Sequence, residues 1–183
     1  MARRIVVFDP PARFIADALG EPGERTFYLQ ARDGERIASV ALEKTQVVVL
    51  AERMASLVAE LSRRGAADLA EPRPDLEPLD EPLNEMFRVG ALTLGWDGDD
   101  GRVLVECREM TDDDEAAVQL PDDDPDGPDV LRVRMTLDGA RAFVERAVRI
   151  VAAGRPPCPY CGLPLEKSGH LCPRRNGHGS LVN

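Results

Sequence analysis

Apolar positions follow a strand-like period in two stretches of the chain, and each stretch then gives way to a helical period. Ile5-Val-Val-Phe8 is a β-branched and aromatic run stopped by Asp9-Pro10-Pro11, which predicts a short strand. Thr26 to Arg32 and Arg36 to Leu42 flank Asp33-Gly34 and predict a hairpin. From Lys44 to Arg64 the period changes. Val47, Leu50, Met54, Leu57, Val58 and Leu61 share one helical stripe, with Glu52, Arg53, Glu60 and Arg63 elsewhere. Gly65 is a natural stop.

Residues 66–84 hold Pro72, Pro74, Pro78 and Pro82 among acids, the composition of a linker or long surface loop. The order then restarts. Phe87 to Trp96 and Arg102 to Glu109 flank Asp-Gly-Asp-Asp-Gly, a second hairpin; an acidic loop covers about 111–129, and Val130 to Met135 is a strand. Thr136 caps a predicted helix through Ala153, with Ala140, Phe143, Ala147, Ile150 and Val151 inward, and Gly154 ends it. The chain is therefore expected to be α+β, in two βββα halves (1–65 and 85–154) with a largely antiparallel sheet. Residues 155–183 form a separate tail. An amphipathic helix per half supplies the cover each sheet face needs. The pattern leaves open whether the halves share one sheet, and whether they meet within a chain or across a dimer.

At 183 residues and 43% hydrophobic, the chain can bury one real core. Its formal charge of −10 argues against coating nucleic acid or an acidic membrane. No apolar run approaches the roughly twenty residues of a membrane span. Asp9 and Pro10 follow the basic N-terminus too closely for a signal peptide, so a cytoplasmic protein is expected. The charge is uneven: Asp97, Asp99 and Asp100, then Asp112 to Glu115, then Asp122 to Asp124, Asp126 and Asp129 make an acidic region. Beyond Gly139 the cations Arg141, Arg146, Arg149, Arg155, Lys167, Arg174 and Arg175 outnumber Glu145 and Glu166. Solvated loops and compensation of an anionic metal site explain this asymmetry, which is also a hint of a partner surface.

The tail carries the most specific chemistry. Cys158-Pro-Tyr-Cys161-Gly is followed by His170-Leu-Cys172, two pairs of N/S donors at the spacing of a closed tetrahedral zinc site. Cys158, Cys161, His170 and Cys172 are the expected ligands of a structural Zn²⁺, with His178 a spare for His170. A thioredoxin-like pair would open a helix, whereas Pro157, Pro159, Gly162 and Pro164 suit a knuckle. A disulfide has no oxidising compartment to support it. Four ligands would leave no open position for catalytic water.

Other motifs are weaker. Asp122 to Gly127 imitates an EF-hand loop, but its twelfth position would be Val133, where calcium needs a bidentate Glu. No dinucleotide, Walker or nucleophile-elbow motif occurs. With His170 and His178 both beside the metal motif, His-based catalysis elsewhere is excluded. No catalytic residue is assigned. Cys107 lies in a strand and is expected to be a buried apolar residue, and Trp96 to be edge packing. Glu24 to Gln30 and Glu43 to Gln46 place polar groups at strand ends, either as a contact surface or as caps and turn residues.

The blocks Phe8-Asp-Pro-Pro, Gly20 to Phe27, Leu29 to Gly34, Leu42 to Gln46, Phe87 to Gly90, Gly154 to Cys158 and Gly169 to Arg174 span almost the whole chain. Together they resemble an uncharacterised actinobacterial protein family, that of the ParA-interacting protein ParJ. The resemblance implies a cytoplasmic protein with a zinc motif, no active-site residues, and a ParA-like chromosome-partitioning ATPase as partner. The expected function is that of a non-enzymatic adaptor with a structural zinc site. One alternative is a divalent-metal-dependent enzyme acting on a small molecule or nucleotide through Asp112–Asp114 or Asp122–Asp124. Another is nucleic-acid binding through the basic end at Arg155, Arg174 and Arg175.

Overall fold

The computed structural model describes residues 3–65, 74–111, 125–154 and 158–160. In chain order these form β1 (Ile5–Phe8), β2 (Arg13–Leu19), β3 (Thr26–Asp33), β4 (Arg36–Leu42), α1 (Lys44–Arg63), β5 (Glu85–Asp97), β6 (Arg102–Glu109), β7 (Val130–Met135) and α2 (Leu137–Ala152). The strands make one seven-stranded sheet in the order β1-β7-β6-β5-β4-β3-β2. Two meanders, β2-β3-β4 and β5-β6-β7, each precede a helix and join side by side through the parallel β4–β5 pair. The fold is mixed α+β, largely antiparallel, with parallel pairs at β4–β5 and β1–β7.

The two halves thus share one sheet, but not in the expected arrangement. β1 does not belong to the first half: it pairs with β7 at the far edge, Val6 beside Leu131 and Phe8 beside Val133. The third strand of the first half is β2, which the pattern did not announce. Its sequence, Arg-Phe-Ile-Ala-Asp-Ala-Leu, buries Phe14, Ile15 and Ala16 in succession, so no polar/apolar alternation marks it. Two alanines and an aspartate also give it little strand propensity.

Turn chemistry follows the sequence closely. Asp33 pairs with Arg36, and Gly34, at φ +58°, takes the left-handed position of the two-residue loop between them. Gly101, at φ +63°, does the same at the end of the second hairpin. Thr136 caps α2, its Oγ1 accepting from the Gly139 N–H at 3.1 Å.

The sheet face formed by Phe14, Ala16, Leu29, Val40, Val105, Cys107 and Val133 packs against both helices in one core. α1 contributes Val47, Leu50, Met54, Val58 and Leu61 of the stripe expected from its period, with Ala51 added and Leu57 only partly buried at its margin. Phe143 of α2 stacks on Phe14 with ring centroids 4.9 Å apart. The sheet curls so far that its two regions meet again: the Arg36 guanidinium lies 4.9 Å over the Phe8 ring and donates to the Val7 carbonyl at 3.2 Å.

Candidate functional site

Proline-rich residues 74–84 are not a free linker. They form a strap that passes from α2 round the β2 edge to the outer sheet face. At one end Asp75 accepts both Arg13 Nε and Nη2, at 2.7 and 2.8 Å, and Arg146 Nη1 at 2.9 Å. At the other, the fully buried Gln30 side chain reads the backbone of Asp80 both ways, donating to its carbonyl at 2.9 Å and accepting its N–H at 2.7 Å. Gln30 also donates to Ser39 Oγ at 3.0 Å. The hydrogen bond from Arg13 is the main reason the Asp75 carboxyl sits below its ordinary pKa. Partial burial opposes this, while the charges of Arg13 and Arg146 and the Glu77 N–H add to it. Arg13 is shifted upward in return, first by that same bond. A small cavity of about 160 Å³ opens beside this network, between Pro10–Ile15 and the start of α2. Its cations are already satisfied by Asp75, Asp80 and Asp17.

The other candidate residues separate into those the structure explains and those beyond it. Cys107 is fully buried, and its thiol is pushed up to about 12 by desolvation and then by the Glu106 charge; it is a core residue and no nucleophile. Trp96 is partly buried and packs against the core, as expected of edge packing. Two of the three acids at the second hairpin tip are paired: Arg134 Nη2 lies 2.9 Å from Asp97 Oδ2 and 2.7 Å from Asp100 Oδ2. Asp97 is lowered, first by the Asp100 N–H it accepts. Asp112–Asp114, Asp122–Asp124 and Arg155 lie outside the described residues, as do Cys161, His170, Cys172, Arg174, Arg175 and His178. Of the expected zinc ligands Cys158 alone is described. It is 5% exposed, and the Tyr160 N–H donates to its Sγ at 3.5 Å. Among the described residues no three His, Cys, Asp or Glu converge on one point.

A different feature emerges between α1 and β5. β5 is thirteen residues long, but β4 reaches it only at Ser39–Glu85 and Ala41–Arg88. From there β4 ends and the chain turns into α1, while β5 continues with β6 as its partner through Asp97–Arg102. The other edge of Ala91–Asp97 therefore has no strand against it among the described residues. In an antiparallel pair alternate residues turn their N–H and C=O away from the partner, so this edge presents unpaired backbone groups. Gln46 marks where it begins. Its Oε1 accepts the Glu43 N–H at 2.8 Å, and its Nε2 donates to the Val89 and Gly90 carbonyls at 3.1 and 3.3 Å. Of the polar strand-end sets that the sequence pointed to, Gln30 and Gln46 thus serve as internal hydrogen-bonding clamps.

Beyond Gln46 a groove of about 290 Å³ lies between the first turns of α1 and β5, walled by Thr45, Val49, Leu50 and Arg53 and floored by Leu92 and Leu94. Val49 is 45% exposed. Arg53 is exposed and makes no ion pair with any described residue. No carboxylate, thiol or imidazole lines the groove. The sequence offered Glu43 to Gln46 as a contact surface, and Thr45 and Gln46 do line the groove, but it missed Val49, which falls off the buried stripe of α1 and reads as an ordinary surface residue. A signal for the floor was length: β5 outruns β4, whose end is set by Leu42-Glu43-Lys44 turning into the helix.

A family model described as a protein of unknown function (DUF3090) matches residues 6–172. No curated protein and no solved structure matches the chain. No described helix is long and apolar enough to cross a membrane.

Proposed function

The chain belongs to the DUF3090 family of proteins of unknown function, and from that premise we propose that it is a non-enzymatic, cytoplasmic adaptor that binds a protein partner. The observation that carries this is the groove between α1 and β5, lined by Val49, Leu50, Leu92 and Leu94 with Thr45, Gln46 and Thr93, and with one cation and no carboxylate, thiol or imidazole. Such a lining suits binding and offers nothing for bond breaking. The tail contributes stability. Cys158, Cys161, His170 and Cys172 would hold a structural Zn²⁺, whose binding energy folds a segment too short to build a core. The burial of Cys158 supports that role. The resemblance to the actinobacterial ParJ family makes a ParA-like ATPase the first partner to try.

A photo-crosslinking residue in place of Val49, in living cells, tests the reading. One discrete adduct whose mass spectrum identifies a ParA-like ATPase, with none from the same residue at exposed Leu19, is the expected result. No adduct at position 49, together with Mg²⁺-dependent turnover lost on neutralising Asp112–Asp114 or Asp122–Asp124, would put an enzyme in its place. Salt-sensitive DNA binding lost in an Arg174/Arg175 double substitution would put nucleic-acid binding there instead.

A further inference from the structure

We infer that the partner enters the α1–β5 groove as an extended segment that adds a strand to the free edge of β5. The inference rests on the reading of the groove as a protein-binding site and names what fits it. Three independent features point to the same occupant. Unpaired main-chain groups over Ala91–Asp97 are satisfied by a backbone of matching 3.3–3.4 Å repeat, which a helix does not have. The apolar positions beside that edge, Leu92 and Leu94 below and Val49 and Leu50 across, take side chains that point alternately into the groove and out of it. Arg53 supplies a charge without a described counter-charge at the rim. The nearby acids Asp97 and Asp100 are already held by Arg134 and do not compete for it.

The occupant is therefore a peptide with apolar residues at every second position and a carboxylate, from Asp, Glu or a chain terminus, that meets Arg53. A long exposed edge is normally protected in natural proteins by charge, proline or a bulge. Here Ala91-Leu-Thr-Leu-Gly-Trp96 carries none of these after the irregularity between Val89 and Ala91. Such a segment would drive association unless it had a cognate strand. Gln46 sets the register, because it occupies the Val89 and Gly90 carbonyls and leaves the incoming strand to start beyond them.

The probe is a phage-displayed library of random twelve-residue peptides, panned on the full zinc-loaded chain; an enriched peptide is then synthesised and titrated. Trp96, the chain's one tryptophan, ends the edge and reports binding by fluorescence. The expected sequences alternate apolar and polar positions and carry an acid. Binding slows amide hydrogen exchange at alternate residues between Ala91 and Asp97, and Val49→Glu weakens it by about tenfold or more with an unchanged thermal midpoint. Arg53→Glu turns the preference from acidic to basic peptides. Enrichment of helical periodicity, or binding with no slowing along β5, overturns the inference. So does an edge already protected in the free protein with the mass of a dimer, since a second copy would then be the occupant. If the peptides fail while the Val49 crosslink persists, strand addition falls and the adaptor reading stands.

Discussion

Arg146 of α2 and Asp75 of the proline-rich strap are joined through two contacts. Arg146 Nη1 donates to the Asp75 carboxylate at 2.9 Å and to its backbone carbonyl at 2.7 Å. The same guanidinium reaches the Ala16 carbonyl, the Asp17 carboxylate and the Glu77 carbonyl, so all its N–H donors are used while its side chain is 3% exposed. Helix, edge strand and strap meet at one buried cation.

Replacing Arg146 with Met keeps the aliphatic bulk and removes five hydrogen bonds; the Asp75 carboxylate and the Glu77 carbonyl keep Arg13 and the Asp75 carbonyl keeps Arg149, while Asp17 Oδ2 and the Ala16 carbonyl lose the guanidinium. The expected loss is about 2–4 kcal/mol, because breaking one side of a buried pair leaves the other uncompensated. Urea unfolding measures it. Proteolysis should also open the strap around 74–80 before the core. A variant as stable as the parent would mean the network does not hold the strap.

Acid should loosen the same strap. The Asp75 carboxyl is held below its ordinary value, chiefly by the Arg13 hydrogen bond. A group with a depressed folded pKa contributes stability that is full above its unfolded pKa, roughly 3.9 for Asp, and is lost as pH falls through the folded value. The parent should therefore exceed Asp75→Asn in stability at pH 7, and the difference should shrink below about pH 4. Urea midpoints for both proteins across that range give the comparison. A gap that stays constant down to pH 2 contradicts the assignment.

Cys107 should resist alkylation. With its thiol pushed up to about 12 and no solvent access, iodoacetamide at pH 8.5 should leave it unmodified until the chain is unfolded. Peptide mass spectrometry distinguishes it from the tail cysteines. Modification of the native protein at Cys107 would show that the β5–β6–β7 half opens locally.

Native mass spectrometry of protein purified without chelator should find one zinc per chain, absent when Cys158 and Cys161 are both serine. Chelation should expose the tail to protease and leave the seven-stranded sheet and its two helices folded, since they build the core between them. Cooperative collapse of the whole chain on chelation would make zinc central to the fold. A mass lower by two hydrogens and no metal would point to a disulfide.

The helices were legible from period alone. Val47, Leu50, Met54, Val58 and Leu61 on α1, and Ala140, Phe143 and Ala147 on α2, fall on the inward faces that a 3.6-residue repeat dictates. Both hairpins followed from Gly34 and Gly101, because only glycine adopts their backbone angles without cost. Donor spacing in the tail likewise carries its chemistry locally, in Cys158-x-x-Cys161 and His170-x-Cys172. Only the tertiary structure decided what depends on residues far apart in the chain. Nothing local tells Ile5–Phe8 to pair with a strand about 125 positions away, or tells Arg146 that Asp75 will meet it. The groove arises the same way, from an absence of pairing: β5 outlasts β4, and whether a strand has a neighbour is a property of the assembled sheet.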